Sequence, residues 1–339
     1  MIENQPLPLG KLPPEILAKI LGRAPLDDER IVLGPGVGLD CAVVRGSGRL
    51  LVFKAEPITF ATDEIGWYAI QVSANDIATT GAMPRWYLAT LLLPEGKTDE
   101  ALVERISGQL FSACQEIGVT VIGGHTEITY GLDRPILAGT LIGEVDAGRL
   151  ITPRGAVPGD HLLLTKGIPI EATALLSREF PDRLRAFLSE AELQQAAAFL
   201  YNPGISVLRD AQIAQAAGQV NAMHDPTEGG LAAALWELSE ACGCSLEIYS
   251  PDIRVPELSG KICRALQLDP LAAIASGALL LSVPPAGSRA ICRALQAEGI
   301  ECTHIGRVVK KSPAFVRDRF SGKMLPRPAR DAITRLYQT

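Results

Sequence analysis

The sequence predicts a two-domain protein of the α/β (α+β) class, and three observations carry that prediction. At 339 residues the chain exceeds what a single hydrophobic core ordinarily encloses. Short apolar or β-branched runs alternate with longer helical patterns through the first half and again after residue 160. Between the two blocks the pattern lapses into Thr152-Pro153-Arg154-Gly155-Ala156-Val157-Pro158-Gly159-Asp160, which sets the boundary between a domain at 1–154 and one at 155–339.

In the first domain, residues 31–33, 41–44, 50–54, 85–93, 119–122 and 136–145 read as strands, each short, apolar or β-branched and bounded by Gly or Pro. A helix over about 63–80 follows the third of them. A second helix is marked by Leu102, Ile106, Leu110 and Cys114 at every fourth position with Val103, Phe111 and Ile117 beside them. Thr98 is its expected N-cap and Gly118 its stop. After the boundary come a strand at 161–165, a helix-rich block at 170–217, a strand at 220–223, and alternating helices and strands to about residue 309. No short repeat is present.

Composition excludes several classes. Hydrophobic residues are 47% and charged ones 21%, and the 32 Gly and 24 Pro stay below the roughly 25–30% of low-complexity chains, so the protein folds. With 32 basic against 38 acidic residues the net charge is −6, the opposite of a duplex nucleic-acid binder. The apolar stretch 271–283 is broken by two Ser and a Gly, short of the ~18 residues of a membrane span. Met1-Ile2-Glu3-Asn4-Gln5-Pro6 has an acid and a proline where a secretory leader has a basic end and an apolar run, so the expected location is cytoplasmic. Seven cysteines without Cys-x-x-Cys spacing read as reduced, packed thiols, Cys242-Gly243-Cys244 at a helix-to-strand turn included.

Polar clusters remain that propensity does not explain. Gly34-Pro35-Gly36-Val37-Gly38-Leu39-Asp40 lies between two strands and reads equally as a flexible hairpin or a ligand cover. It is not a dinucleotide fingerprint, because a strand rather than a helix follows. Asn75-Asp76 sits within the first helix, and Glu56 just beyond the strand at 50–54. Gly123-Gly124-His125-Thr126-Glu127 follows an apolar strand as a glycine-rich turn, where α/β proteins commonly place ligands. In His224-Asp225-Pro226-Thr227-Glu228-Gly229-Gly230, Asp225 reads as N-cap, Pro226 as the first helical residue and Glu228 as the third. The glycine pair costs about 1 kcal/mol per residue in a first turn, which points to bare amides available to a phosphate. Asp40, Glu56, Asp76, Glu127 and Asp225 are carboxylates near glycine-rich turns, a pairing that suits oxygen-ligated Mg²⁺ bridging a polyphosphate.

These motifs, in this order, resemble the aminoimidazole ribonucleotide (AIR) synthase superfamily, which includes thiamine-monophosphate kinase, selenophosphate synthetase and the hydrogenase-maturation carbamoyl dehydratase. The likeness runs from Gly34 to about Val309 and is greatest to the hydrogenase-maturation, HypE-like branch, through the wording His-Asp-Pro-Thr-x-Gly-Gly-Leu. It implies an AIR synthase-like fold in which an N-terminal sheet pairs in a homodimer and a C-terminal α/β domain closes on it. It also implies ATP and Mg²⁺ as cofactors, and phosphorylation or dehydration of a small molecule or of a group on a partner protein. By position, Gly34, Gly36, Gly38, Asp40, Asn75, Asp76, Gly123, Gly124, His125, Thr126, Asp225, Gly229 and Gly230 would meet the nucleotide. Asp40, Glu56, Asp76, Glu127 and Asp225 would be the metal ligands, with no catalytic residue assigned.

The departures are specific. Lys54-Ala55-Glu56 stands where relatives carry an aspartate after a Thr-Thr pair, and His125, a poor Mg²⁺ ligand, stands where some carry an acid. Glu228 replaces an arginine of the maturation enzyme, and the chain closes Thr334-Arg335-Leu336-Tyr337-Gln338-Thr339 without that enzyme's cysteine tail. Cys41 is expected to pack rather than react. A nucleotide-binding accessory protein of a maturation complex and a thiamine-monophosphate kinase-like enzyme are the competing readings.

Overall fold

The computed structural model describes residues 7, 9–59, 63–311 and 314–337. Residues 1–6, on which the expectation of a cytoplasmic location rests, and the final two residues lie outside them. The described chain forms two compact units, one of residues 26–35 and 40–152, the other of 1–25, 36–39 and 153–339. No described helix is long and apolar enough to cross a membrane.

The chain opens with α1 (Pro14–Leu21), grouped with the C-terminal unit. The N-terminal unit then builds β1 (Ile31–Leu33), β2 (Ala42–Arg45), β3 (Leu50–Ile58), α2 (Ile65–Thr79), β4 (Met83–Pro94), α3 (Glu100–Ile117), β5 (Thr120–Thr129) and β6 (Ile136–Val145). Its sheet has the order β1-β2-β3-β6-β4-β5, antiparallel except for the parallel pair β4–β5 that α3 connects. β6 shows why one face becomes core: Leu137, Gly139, Leu141, Gly143 and Val145 are buried at strict alternation, the period of a strand. On this unit α2 packs across β3, β6 and β4 and against α3. It presents no solvent-exposed stripe, and even its polar residues Gln71, Asn75 and Asp76 are buried. Its described residues are buried except Trp67, because the sheet covers one side and α3 another.

Two sequence expectations change here. Glu56, placed beyond its strand, lies inside β3, which pairs with β6 as far as Ile58↔Leu137. The cap of α3 is Asp99 rather than Thr98: its carboxylate accepts from the Leu102 amide at 2.8 Å, while the Thr98 hydroxyl donates to the Pro94 carbonyl. Asp99→Ala is therefore expected to lower stability by about 1 kcal/mol, read as a shifted urea midpoint with an unchanged slope, whereas Thr98→Ala leaves the cap in place.

The C-terminal unit contains β7 (His161–Thr165), α4 (Ile170–Glu179), α5 (Pro181–Leu184), α6 (Glu190–Ala197), α7 (Leu208–Ala217), β8 (Ala222–His224), α8 (Gly230–Cys242), β9 (Cys244–Ile248), α9 (Glu257–Ala265), β10 (Leu280–Val283), α10 (Pro285–Ala297), β11 (Cys302–Lys311) and β12 (Val316–Asp318). Its sheet runs β12-β9-β11-β7-β10-β8, with β12 parallel to β9 and the other pairs antiparallel. The core joins Leu162, Leu164, Leu246 and Leu280 of the sheet to Leu231, Leu235 and Leu238 of α8 at helical spacing. Trp236 packs at the edge of that core, its indole N–H donating to the Leu325 carbonyl at 3.1 Å.

Candidate functional site

In the N-terminal unit, acids that the sequence singles out gather around a lysine. Residues two apart on a strand share a face, so Lys54 and Glu56 of β3 project to the same side. Asp76 comes from α2. The Lys54 Nζ lies 2.9 Å from Glu56 Oε2 and 3.0 Å from Asp76 Oδ2. Burial on its own would lower the Lys54 pKa, but the charges of Asp76, Glu56 and Asp40 outweigh it and hold the ammonium well above the ordinary lysine value. Asp76 is 2% exposed and Asn75 fully buried. The Asp76 carbonyl accepts from the Thr79 hydroxyl at 2.7 Å and from the Cys41 thiol at 3.4 Å, which fixes Cys41 as a packed, buried group next to Asp40.

Magnesium does not fit the Glu56–Asp76 pair as folded. A hard divalent cation needs the carboxylate oxygens themselves, at about 2.1 Å in a near-octahedral shell. One oxygen of each, Glu56 Oε2 and Asp76 Oδ2, already faces the Lys54 ammonium, so an ion bonded there would meet a positive charge.

The segment read as a glycine-rich turn is instead part of a strand: residues 123–127 lie within β5, the edge strand of the sheet. Gly124 serves close pairing. A Cβ on Gly124 would fall 1.9 Å from the Ala89 carbonyl oxygen, on backbone with φ of +153°. His125, Thr126 and Glu127 are exposed, and His125 Nε2 pairs with Glu127 Oε2 at 2.8 Å, so Glu127 is engaged away from Lys54.

Gly34 stays with the N-terminal unit, whereas 36–39 group with the C-terminal one. There the Leu39 amide donates to the Gly36 carbonyl at 3.2 Å, and Gly38 lies against the backbone of Glu237 on α8.

At the other glycine pair the expected capping arrangement is not formed. α8 begins at Gly230 with Gly229 as its cap, so Asp225, Pro226 and Glu228 precede the helix. Both glycines take left-handed backbone, φ of +83° and +63°. A Cβ on Gly230 would lie 2.6 Å from the carbonyl oxygens of both Ala273 and Leu271. Gly230 thus answers to a neighbouring chain segment, whereas a Cβ on Gly229 would meet Ala233 of α8 itself at 2.7 Å. The Gly229 amide, expected to await a phosphate, donates to Asp331 Oδ2 at 2.6 Å, and the Ile333 amide donates to Asp331 Oδ1 at 2.9 Å.

Around this turn the ionisable groups are unusual. His224 Nε2 meets Glu237 Oε2 at 2.9 Å; burial would raise the Glu237 pKa, but the His224 bond and the charges of Lys11 and Arg327 bring it down to about 2. The Glu228 carboxylate accepts from the Lys11 amide at 3.2 Å, and the Lys11 ammonium donates to the Thr227 hydroxyl. Asp225 is 1% exposed. Burial pushes Glu171, at the start of α4, up to about 7, with Asp331 and Glu228 acting in the same direction against hydrogen bonding to Ser276. Asp331 is raised by burial to about 6. Glu171, Glu237 and Asp331 are not among the residues that sequence reasoning selects. Only Glu171, a carboxylate in the apolar run Pro169-Ile170-Glu171-Ala172, leaves a trace there.

Comparison with known proteins matches residues 38–145 to "AIR synthase related protein, N-terminal domain" and 157–319 to "AIR synthase related protein, C-terminal domain". A carbamoyl dehydratase HypE of Azotobacter vinelandii is 30% identical over 339 residues, covering 94% of this chain and 93% of its own. The carbamoyl dehydratase HypE of Cupriavidus necator is 30% identical over 290 residues, 80% and 78% of the two chains. Among solved structures, the hydrogenase maturation protein HypE in complex with ATP shares the fold with a TM-score of 0.67, at 22% identity over 92% of this chain and 90% of that one.

Proposed function

Because the chain belongs to the AIR synthase related family, in its HypE-like branch, we propose that it is an ATP-dependent enzyme that activates an oxygen of an acceptor by phosphoryl transfer. The observation that carries this reading is the match of both family domains, in order, together with relatives that are carbamoyl dehydratases along most of their length. The bond between the γ-phosphorus and the β–γ bridging oxygen breaks, ADP leaves with its electron pair, and a phosphorus–oxygen bond to the acceptor forms. An oxygen so phosphorylated leaves as phosphate, which is how transfer and dehydration share a first step. The acceptor is a small molecule or a group on a partner protein.

In this reading Asp40 and Asp225, each in its own domain, would hold the nucleotide's magnesium, which would supply charge neutralisation at the phosphates. The protein is further read as cytoplasmic and as a homodimer through the N-terminal sheet, which sedimentation velocity would test.

Titration calorimetry with Mg-ATP is expected to give one site per chain, weakened at least tenfold in Asp225→Asn with an unchanged circular dichroism spectrum. Absence of heat from the folded wild type would remove the nucleotide from this account.

A further inference from the structure

We infer that the Lys54 ammonium is the resident cation of the acidic cluster on the N-terminal sheet, standing where a divalent ion would otherwise bridge Glu56 and Asp76. The inference takes its functional meaning from the nucleotide reading above, but its test does not depend on it. Carboxylates removed from water need a compensating positive charge. Here that charge is built into β3: Lys54 is two residues before Glu56, on the same face, and its Nζ reaches Glu56 and, across to α2, Asp76. Lys54 and Asp76 are both largely buried, with side-chain exposures of 11% and 3%.

An ion bonded to those oxygens would stand beside the ammonium, and like charges so close in a buried setting repel. Lysine is a compact point charge on a tether, so it does not dissociate and needs no metal supply. The Glu56–Asp76 pair of this chain is therefore closed to divalent ions while Lys54 is present, and opens when its charge is removed.

The test is Mn²⁺ binding to the nucleotide-free full chain, followed by the loss of the free-ion electron paramagnetic resonance signal. Wild type and Asp76→Asn are expected to bind Mn²⁺ alike. Lys54→Met is expected to gain one site per chain at least tenfold tighter than any wild-type site, and Lys54→Met/Asp76→Asn to lose it. Lys54→Gln, closer in polarity, is the parallel variant, and Mn²⁺ is expected to raise the Tm of both Lys54 single variants but not of wild type or Asp76→Asn. A wild-type site that Asp76→Asn abolishes would overturn the inference, as would the absence of any gain, in binding or in Tm, from both Lys54 variants. A wild type that binds no ATP, beside a Lys54→Met that gains the Mn²⁺ site, would sink the nucleotide reading and leave this one standing.

Discussion

Gly230→Ala is expected to lower the stability of the protein by on the order of 3 kcal/mol or more. Left-handed backbone costs a residue with a Cβ about 1–2 kcal/mol, and overpacking a close contact typically adds about 1–3 kcal/mol. At Gly230 both apply at once: φ is +63°, and the added carbon would lie 2.6 Å from two backbone carbonyl oxygens that cannot swing aside as a side chain would. Gly243, at the other end of α8, has a similar φ of +64° but open space around it. Gly243→Ala therefore isolates the backbone cost and is expected to lose less than half as much. Urea unfolding of the two variants in parallel checks this; equal losses would mean that the Leu271–Ala273 contact is not what demands the glycine.

Glu171→Gln is expected to stabilise the protein at pH 8 by about 3 kcal/mol while changing little near pH 4. The sign follows from linkage. Burial holds the Glu171 carboxyl up to about 7 in the folded chain, above the ordinary value of 4.5, so folding takes up a proton between those limits. Stability is complete below the lower pKa and falls as pH rises through the upper one, and each tenfold change in proton affinity is worth about 1.4 kcal/mol. Glutamine keeps the shape and cannot ionise, so the fall between about pH 4.5 and 7 should largely disappear. A shallower slope will persist because Asp331, held at about 6, follows the same rule. Denaturant midpoints across that range decide the matter, and parallel wild-type and variant curves would refute a protonated Glu171.

Much of the scaffold is legible in the sequence. The strand at 136–145 and the placement of Asn75-Asp76 within a helix follow from period and context alone, and the lapse at 152–160 follows the last strand of the N-terminal sheet. The Lys54–Glu56 contact is implicit in strand alternation, although the sequence shows the lysine only as part of a departure from the relatives' Thr-Thr pair, with Glu56 standing at their aspartate. What stays hidden depends on distant partners. Nothing near Gly229 announces that its amide will be taken by Asp331, 102 residues away, or that the backbone at 271–273 will crowd Gly230. Local capping grammar therefore reads Asp225-Pro226-Thr227-Glu228 as a helix start, while tertiary contacts begin α8 later. The cap of α3 differs for a smaller reason. Thr98 and Asp99 are both competent caps, and the chain direction at one residue chooses between them.

The indole of Trp236, bonded to the Leu325 carbonyl, gives the protein a built-in optical label. The other two tryptophans, Trp67 and Trp86, belong to the N-terminal unit. With both replaced by phenylalanine, the remaining emission would report melting of the C-terminal half alone, and the complementary variant the other half. Superimposable fluorescence curves would describe a single cooperative molecule, and separated ones two halves that melt on their own terms.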